Sequence, residues 1–458
     1  MKTPRQNAHA CTRRSFLRLG AGAALLFVPA NRKGALFAGS GEPATPVVSI
    51  AKVRNGDLPA AVEEAIDLLG GIQQVTAGKQ RILLKPNLVA EGAAYTTKPA
   101  VIRTLARLML DAGKEVLIGE GSAYATGVNL VNDRPYVTRC PDLLERLQQT
   151  VFDRLGYTAL ARSLGVPLLN LHLGDLVTVP VPQGLFWKEI TLPRILTEVD
   201  LLCSVPMMKT HQMATVTLGL KNLIGCYPGA CYGTFRYWVH DQCALKSSPG
   251  TAFEILDMAQ VNKLGLTVID GSTAMQGDGP VGGSLLAMNL IVAGTSPLAA
   301  DMVAARLMGF TNLDAIPQFA WAHKLGLRPA TLEDIEVRGE KIAEVQRNFV
   351  RATPYPWVPY SPEIYPSLQP KLEVGPDQKA VITWDDAAPM PRPRIEYDAD
   401  QKASLSWTNQ SAGPRAYLER HSRLHPTGWR RVPLAAPGRA EFDMTQATNQ
   451  FFRLRKLD

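Results

Sequence analysis

The chain has 458 residues, of which 46% are hydrophobic and 20% charged, enough for a large α/β core plus a smaller unit. Its net charge of +8 comes from the two ends: residues 1–38 carry seven bases and no acid, and residues 379–458 carry thirteen bases and nine acids. The middle of the chain is therefore slightly acidic and lacks the basic surface that a nucleic-acid partner would require.

Residues 1–38 have the features of a twin-arginine export signal. Arg13 and Arg14 are followed by Ser-Phe-Leu-Arg and then by a weakly apolar run over residues 19–28. That run is shorter than the roughly 20 residues that a membrane span needs, and no cysteine follows it that could carry a lipid. The sequence predicts export by the twin-arginine translocase to the periplasm or the extracellular space, with no stable membrane span.

Residues 39–350 alternate between strand and helix patterns. This alternation predicts an α/β domain with a mainly parallel sheet and helices on both faces. Polar–apolar alternation from Gly165 to Arg194 predicts a hairpin that interrupts the alternation of strands and helices. The predicted strands are Val47–Val53, Arg81–Leu84, Glu115–Ile118, Val166–Leu171, Leu201–Val205, Leu266–Ile269 and Leu286–Ala293; the predicted helices are Leu58–Gly70, Pro99–Ala112, Leu143–Leu164 and one that opens at Ser296-Pro297 and ends at Gly309.

The C-terminal part changes character. Residues 351–378 contain seven prolines and are predicted to form a stiff linker. Residues 379–458 contain short alternating runs separated by Gly, Pro and Asn, which predicts a small antiparallel β-sandwich module. The ending over residues 449–455 resembles the close of fibronectin-like modules of exported bacterial proteins, and this resemblance implies contact with a surface or a partner.

Polar side chains follow the predicted strands where these end. Because the carboxyl ends of parallel strands share one edge of a sheet, these side chains are expected to converge. We predict that Lys85, Asn87, Lys221 and Asn222 bind a small anionic molecule, that Lys209, His211 and Asp270 are catalytic, and that Glu120 and Asp278 bind a divalent metal ion.

Several of these residues also have a purely structural interpretation. Asp270 precedes Gly271 and could simply form a turn. Lys85 could be a solvated loop lysine and His211 a structural histidine. Asp301 falls in the first turn of the helix that opens at Ser296, where the helix dipole alone accounts for an acid.

Five cysteines follow the export signal, and three of them lie in one loop. The spacing of Cys226, Cys231 and Cys243 matches neither a ferredoxin run nor a zinc ribbon. In an oxidising compartment this spacing favours a loop disulfide. An iron–sulfur cluster bound by these three and Cys203 is the alternative.

Together these motifs resemble the domain of unknown function 362 family over about residues 47–340. The resemblance implies the α/β fold and the position of the site, but no reaction. Some family members carry ferredoxin-type modules, whereas this chain has no Cys-x-x-Cys-x-x-Cys run. The motifs are Lys85-Pro86-Asn87, Pro206 with Lys209-Thr210-His211, Thr217-Leu218-Gly219-Leu220-Lys221-Asn222 with Gly225, Asp270-Gly271 with Gly277-Asp278-Gly279-Pro280, and Ala293-Gly294 with Asp301.

The leading hypothesis is an exported, enzyme-like protein that binds a small anionic ligand, with a metal ion, at the carboxyl edge of the sheet. The aromatic loop from Cys226 to Cys243 would cover the ligand as a lid. Two alternatives stay open: an iron–sulfur or redox partner protein, and a non-catalytic periplasmic binding protein whose β module contacts a surface.

Overall fold

The computed structural model describes residues 45–131, 134–240 and 251–353, together with the backbone of short strands between residues 371 and 456. The predicted export signal, most of the predicted linker, and Cys243 lie outside the described residues.

The described domain is built on a large sheet. In chain order its strands, with two small accessory pairs, are β1 (Val47–Lys52), β2 (Arg81–Pro86), β3 (Glu115–Glu120), β4 (Leu130–Val131), β5 (Arg134–Pro135), β6 (Leu168–Asn170), β7 (Leu176–Pro180), β8 (Glu189–Pro193), β9 (Leu201–Val205), β10 (Met207–His211), β11 (Thr215–Thr217), β12 (Leu264–Gln276), β13 (Ser284–Leu286), β14 (Leu290–Gly294) and β15 (Glu336–Gly339).

Helices connect these strands. None of those in the described ranges is long and apolar enough to cross a membrane. In chain order they are α1 (Leu58–Asp67), α2 (Ile72–Val75), α3 (Pro99–Asp111), α4 (Pro141–Arg154), α5 (Tyr157–Leu164), α6 (Ile195–Glu198), α7 (Gly219–Asn222), α8 (Gly229–Tyr232), α9 (Thr251–Gln260), α10 (Pro297–Leu307), α11 (Pro317–Lys324) and α12 (Ile342–Val345), with short 3-10 turns at Ala93–Tyr95, Leu223–Cys226, Thr234–Arg236, Leu313–Ala315 and Leu332–Asp334.

The main sheet is mostly parallel, as predicted. Its strand order is β15-β1-β14-β12-β9-β2-β3-β6, and β12, β9, β2, β3 and β6 pair in parallel. Only β14 runs against its neighbours on this path, because it pairs antiparallel with both β1 and β12. The carboxyl ends of the parallel strands therefore meet at one edge.

Helices cover both faces of the sheet. Leu83 lies in a core cluster with residues of α9, α10 and α11, whereas the next residue, Leu84, lies in a second cluster with residues of α1, α3 and α5. Successive strand residues point to opposite faces, so two separate cores are what a doubly covered sheet requires.

Pro206 divides two strands rather than ending the sheet. Val205 is the last residue of β9, and Met207 begins β10, which pairs in parallel with the second half of β12. The predicted strand Leu201–Val205 is confirmed, but Lys209 and His211, which were expected beyond its end, belong to a further strand, β10. The pairing with β2 ends at Val205, because proline cannot donate to a ladder. The chain continues beside β12, with which β9 already pairs, and Asp270 N donates to Pro206 O at 2.8 Å.

Three other predictions compare as follows with the structure. The hairpin between residues 165 and 194 is confirmed as the antiparallel pair β7–β8. The predicted strand Leu286–Ala293 is instead two strands, β13 and β14, because Asn289 has φ of 51° and interrupts the extended backbone. Ser296 precedes α10 as predicted, but its side chain makes no capping hydrogen bond.

The C-terminal residues contain strands in two further sheets. The pairs in these sheets are antiparallel except β17–β18, which is parallel. The packing of these sheets into a β-sandwich stays a prediction. The strands are β16 (Lys371–Val374), β17 (Lys379–Thr383), β18 (Lys402–Ser406), β19 (Ala416–His421), β20 (Arg430–Val432), β21 (Arg439–Phe442) and β22 (Phe451–Lys456), in the orders β16-β17-β18-β21 and β20-β19-β22.

Truncating either core face should destabilise the domain. Leu83→Ala and Leu84→Ala each remove a fully buried side chain, so each should lower the free energy of unfolding by about 2–5 kcal/mol. Leu285 is 50% exposed, and Leu285→Ala should change it by less than about 0.5 kcal/mol. Urea unfolding checks this. A negligible cost for only one of the two core variants would contradict a sheet packed on both faces.

Candidate functional site

Residues 95–98 bring the predicted strand ends together. Thr97 Oγ1 accepts a hydrogen bond from Asn87 N at 2.9 Å and donates to Val205 O at 2.6 Å, so it joins the ends of β2 and β9. The next residue, Lys98, donates its backbone N–H to Asp270 Oδ2 in β12 at 3.0 Å. One short segment therefore links three strands at the carboxyl edge of the sheet.

Lys209 is held at the same edge. Its ammonium is fully buried and donates to Tyr95 O at 2.8 Å and to Pro280 O at 3.3 Å. The neighbouring Thr210 donates its hydroxyl to Gly277 O at 2.7 Å. The glycine-rich loop after β12 therefore packs against β10 through backbone carbonyls, and two of the three ammonium hydrogens of Lys209 are engaged.

Lys85 forms a buried ion pair with Glu120. Its ammonium lies 2.8 Å from Glu120 Oε1 and also donates to Asn222 Oδ1 and to Pro86 O, each at 3.2 Å. Asn222 Nδ2 returns a hydrogen bond to Lys85 O at 3.0 Å. The structure thus brings Lys85, Glu120 and Asn222 together. The Lys85 ammonium is saturated by protein groups, and a ligand-binding role for it stays a prediction.

The predicted metal ligands have protein partners. Glu120 Oε1 also accepts from Gly121 N, and Glu120 Oε2 accepts from Leu88 N at 2.9 Å. Asp278 accepts from Thr353 N at 2.6 Å. Within the described part of the chain, no group of three or more His, Cys, Asp or Glu side chains is arranged to hold a metal ion.

Gly225 is required for this packing. A Cβ on Gly225 would lie 2.1 Å from Glu120 Oε1 and 2.6 Å from Lys85 Nζ. Both atoms belong to the buried ion pair and cannot move away without breaking it. The turn after α7 therefore needs glycine, which places Lys221 and Asn222 directly over the ends of β2 and β3.

Lys221 is the unusual cation of the site. Its side chain is 8% exposed, and its ammonium makes no hydrogen bond or ion pair within the described residues. Burial lowers its pKa to about 8; Glu254 opposes this shift, whereas Arg236 and Lys85 add to it. A largely buried lysine whose ammonium has no protein partner is a candidate contact for an anion.

Lys209 and His211 lie in the same electrostatic environment. Burial lowers the pKa of Lys209 to about 7, and the charge of Lys221 contributes. Burial, Lys221 and Lys209 hold the pKa of His211 well below its usual value. His211 Nδ1 accepts from Met213 N at 3.0 Å and from Ala214 N at 3.3 Å. The imidazole is therefore neutral and carries its hydrogen on Nε2.

Arg236 is a buried cation that the sequence did not single out. Its guanidinium donates to the carbonyls of Ile224, Gly225, Gly121 and Ser122, at 3.1, 3.3 and 3.4 Å for Ile224, Gly225 and Ser122, respectively. Burial lowers its pKa to about 10, and Glu120 opposes the shift. The only sequence signal was a basic residue inside an otherwise aromatic segment.

The remaining predicted residues have local roles. Asp270 is fully buried and its Oδ1 accepts from Ser272 N at 3.1 Å and from Ser272 Oγ at 2.5 Å. Asp301 accepts the backbone N–H groups of Gly219 and Leu220 at 2.7 and 2.9 Å, and burial raises its pKa to about 7. It anchors the start of α7, not its own helix. Asn87 Oδ1 is buried and has no hydrogen-bond partner within the described residues.

Two of the four predicted cluster ligands, Cys203 and Cys226, do not lie together. Cys203 and Cys226 are buried thiols in the two different core clusters, on opposite faces of the sheet. Burial raises the pKa of both. Cys226 is a free thiol, so the predicted loop disulfide does not involve it. Tyr227 and Tyr232, predicted as part of a lid, are buried in the core instead.

A separate pocket lies away from these residues. Its volume is about 270 Å³, and it opens between α4, α5 and β6. Gln148 at its wall is buried and hydrogen-bonded to Ser122, which connects the pocket to the loop beside Glu120.

Comparisons with known proteins agree with the motifs. Residues 82–306 match the family described as Domain of unknown function (DUF362), which confirms the predicted resemblance over that range. A thylakoid-associated protein of Synechocystis sp. is 26% identical over 283 residues, covering 61% of this chain and 78% of that protein. The lactate racemase apoprotein of Thermoanaerobacterium thermosaccharolyticum gives a TM-score of 0.33 at 13% identity over 57% of each chain, too low to bear on function.

Breaking the Lys85–Glu120 pair on one side should be more damaging than removing both charges. Lys85→Met leaves a buried, uncompensated carboxylate and should lower the free energy of unfolding by about 3–5 kcal/mol. The double variant Lys85→Met/Glu120→Gln should recover a substantial part of that loss. Denaturant unfolding of the two variants measures the difference. A double variant less stable than Lys85→Met alone would show that the pair is not the dominant interaction.

Proposed function

We propose that this protein binds a small anionic molecule at a cluster formed by Lys209, Lys221 and His211 at the carboxyl edge of the sheet. The observation that carries the proposal is the largely buried side chain of Lys221, 8% exposed, whose ammonium has no hydrogen-bond or ion-pair partner among the described residues. Lys209 keeps one ammonium hydrogen free, and His211 presents Nε2–H. All three groups donate hydrogen bonds, as an anion requires.

The cations close to Lys221 support an anion. Lys209, Arg236 and Lys85 interact electrostatically with Lys221, and the carboxylate that opposes them at Lys221 is Glu254. Glu120 is already paired with Lys85. An anion bound beside Lys209 and Lys221 would favour the charged form of both lysines.

The same cluster is suited to proton transfer. Lys209, whose pKa is about 7, exchanges a proton near neutral pH and would act as acid or base towards a bound ligand. We assign His211 the role of donor through Nε2–H. Asp270, whose oxygens bind Lys98 and Ser272, would position the segment that holds Lys209. A binding protein without turnover would use the same contacts, and a substrate screen with product detection separates the two.

We also propose that the protein is exported and that its C-terminal strands serve attachment. Arg13 and Arg14 and the short apolar run that follows support export by the twin-arginine translocase. A divalent metal ion remains a prediction from the acids of the sequence. Replacing both arginines with lysine and locating the protein by cell fractionation tests the export proposal.

Replacing Lys221 should stabilise the free protein and abolish anion binding. Lys221→Met removes a buried charge with no partner while keeping the length of the side chain. The melting temperature without ligand should therefore rise, and the further rise caused by anions should disappear. Differential scanning fluorimetry with phosphate and acetate measures both. Lys52→Met, at an exposed lysine, is the control and should keep the anion effect.

A lower ligand-free melting temperature for Lys221→Met, or an unchanged response to anions, would contradict this assignment.

Anion binding should weaken as the pH rises. The pKa values of Lys209 and Lys221, about 7 and 8, lie below the usual 10.5. Below about pH 7 both ammonium groups are charged, so the folded protein carries their full burial cost; that cost is relieved as pH rises from about 7 towards 10.5. The free energy of unfolding of the ligand-free protein should therefore rise between about pH 7 and pH 10.5. The affinity for anions should fall over the same range. Calorimetric titrations at pH 6 and pH 9 check this.

Affinity that is independent of pH in the wild-type protein would show that the two lysines do not contact the anion.

A further inference from the structure

The β10–β11 hairpin presents four polar side chains on one face. In this antiparallel pair Lys209 lies opposite Thr217, and His211 lies opposite Thr215. Directly opposite residues in an antiparallel pair project to the same face, with Cβ atoms about 4.5–5.5 Å apart. Thr215 and Thr217 therefore border the proposed anion site.

The hydroxyls of both threonines are unexplained by the fold. Each threonine is 3% exposed, and neither Oγ1 has a hydrogen-bond partner in the described part of the structure. Thr215 also has φ of 67°, a left-handed conformation that a β-branched residue rarely adopts. Strained backbone and an unsatisfied hydroxyl at one residue indicate a functional constraint.

The number of donors exceeds what a carboxylate can accept directly. The ammonium of Lys221, one hydrogen of Lys209, Nε2–H of His211 and the two hydroxyls supply donors from five side chains. A carboxylate has two oxygens in one plane, whereas a phosphate group has three or four oxygens arranged tetrahedrally. Tetrahedral oxygens match donors that come from a hairpin face and from α7.

One buried acceptor lies near Lys221. Glu254 is fully buried; its Oε1 lies 2.5 Å from His240 Nδ1, and its Oε2 has no partner within the described residues. Glu254 is close enough to Lys221 to influence its protonation without forming an ion pair. A buried carboxylate oxygen beside an anion needs a hydrogen from that anion. Hydrogen phosphate carries a P–OH at neutral pH, whereas sulfate and carboxylates carry no such hydrogen.

We propose that Thr215, Thr217, Lys209, Lys221 and Glu254 form a binding site for inorganic phosphate, whose monohydrogen form keeps a P–OH at neutral pH. A phosphomonoester loses that hydrogen above a pKa of about 6 and therefore lacks the donor that Glu254 requires. This inference rests on the proposed anion site and names its ligand class. Thr217 donates to a phosphate oxygen, and Glu254 Oε2 accepts the P–OH hydrogen. Glu254 therefore selects phosphate over sulfate, and the threonines select it over carboxylates.

Isothermal titration of the full chain, in a buffer free of phosphate, tests this selectivity. The ligands are inorganic phosphate, glycerol phosphate, sulfate and acetate. We expect phosphate to bind at least tenfold more tightly than sulfate or acetate. Sulfate or acetate binding as tightly as phosphate overturns the inference while leaving the anion site intact, whereas no binding of any of the four ligands rejects the anion site itself. At pH 7.5 glycerol phosphate is a dianion without a P–OH, so it should bind more weakly than free phosphate, and tighter binding of the ester overturns the Glu254 contact.

Variants locate the contacts. Thr217→Val removes one hydroxyl and should weaken phosphate binding roughly 10- to 100-fold, the cost of a hydrogen bond to a charged group. Thr217→Ser keeps the hydroxyl and should bind as the wild type does. Thr104→Val is the matched control, because that buried hydroxyl donates to Ala100 O within α3, outside the proposed site. Glu254→Gln should reduce the preference for phosphate over sulfate.

Wild-type affinity in Thr217→Val, or an unchanged phosphate preference in Glu254→Gln, overturns the corresponding contact. If Thr217→Val does not fold, Thr217→Ser replaces it as the test. An affinity loss in Thr217→Ser as large as that of Lys221→Met would count against a contact through the hydroxyl. The selectivity of the wild-type protein for phosphate over sulfate and acetate then decides the ligand class.

Discussion

The carboxyl edge of this sheet depends on the buried contact between Lys85 and Glu120. The pair joins β2 to β3, and Asn222 attaches α7 to the same ammonium. Each charge is costly to bury alone, and together they are compensated, so the elements that carry them must stay in register. Because α7 is attached in this way, Lys221 is forced into the protein although the described residues give it no counter-ion.

The buried cations differ in how completely protein groups satisfy them. Lys85 and Arg236 are surrounded by carboxylate, amide or carbonyl oxygens. Lys209 is partly satisfied and Lys221 is not. Lysines at one edge of a sheet therefore differ in how many hydrogen bonds they can donate to a ligand. The number of ammonium hydrogens without a protein acceptor indicates this capacity better than the charge does.

The sequence predicted the sheet edge at which the polar side chains lie better than it predicted the strands that carry them and the groups that they contact. Convergence of Lys85, Glu120, Lys209 and Asp270 follows from apolar runs that end on polar residues in a parallel sheet. The sequence did not predict the second half of β12, because residues 270–276 are largely polar or small. It therefore also failed to predict the pairing of β10 with this part of β12, which makes Lys209 and His211 strand residues. Asp278 lies next to the site in sequence, but it binds Thr353, a contact across 75 residues that no local pattern encodes.

The strands at the two ends of the main strand order, β6 and β15, are short. β6 has three residues and β15 has four, so each exposes only a few unpaired backbone groups. A long, flat border would invite a second chain to add a strand and begin aggregation. Because these edge strands are short, the domain can contain a wide sheet with few unpaired backbone groups at β6 and β15. Edge-to-edge pairing with a second chain is therefore disfavoured at these two strands.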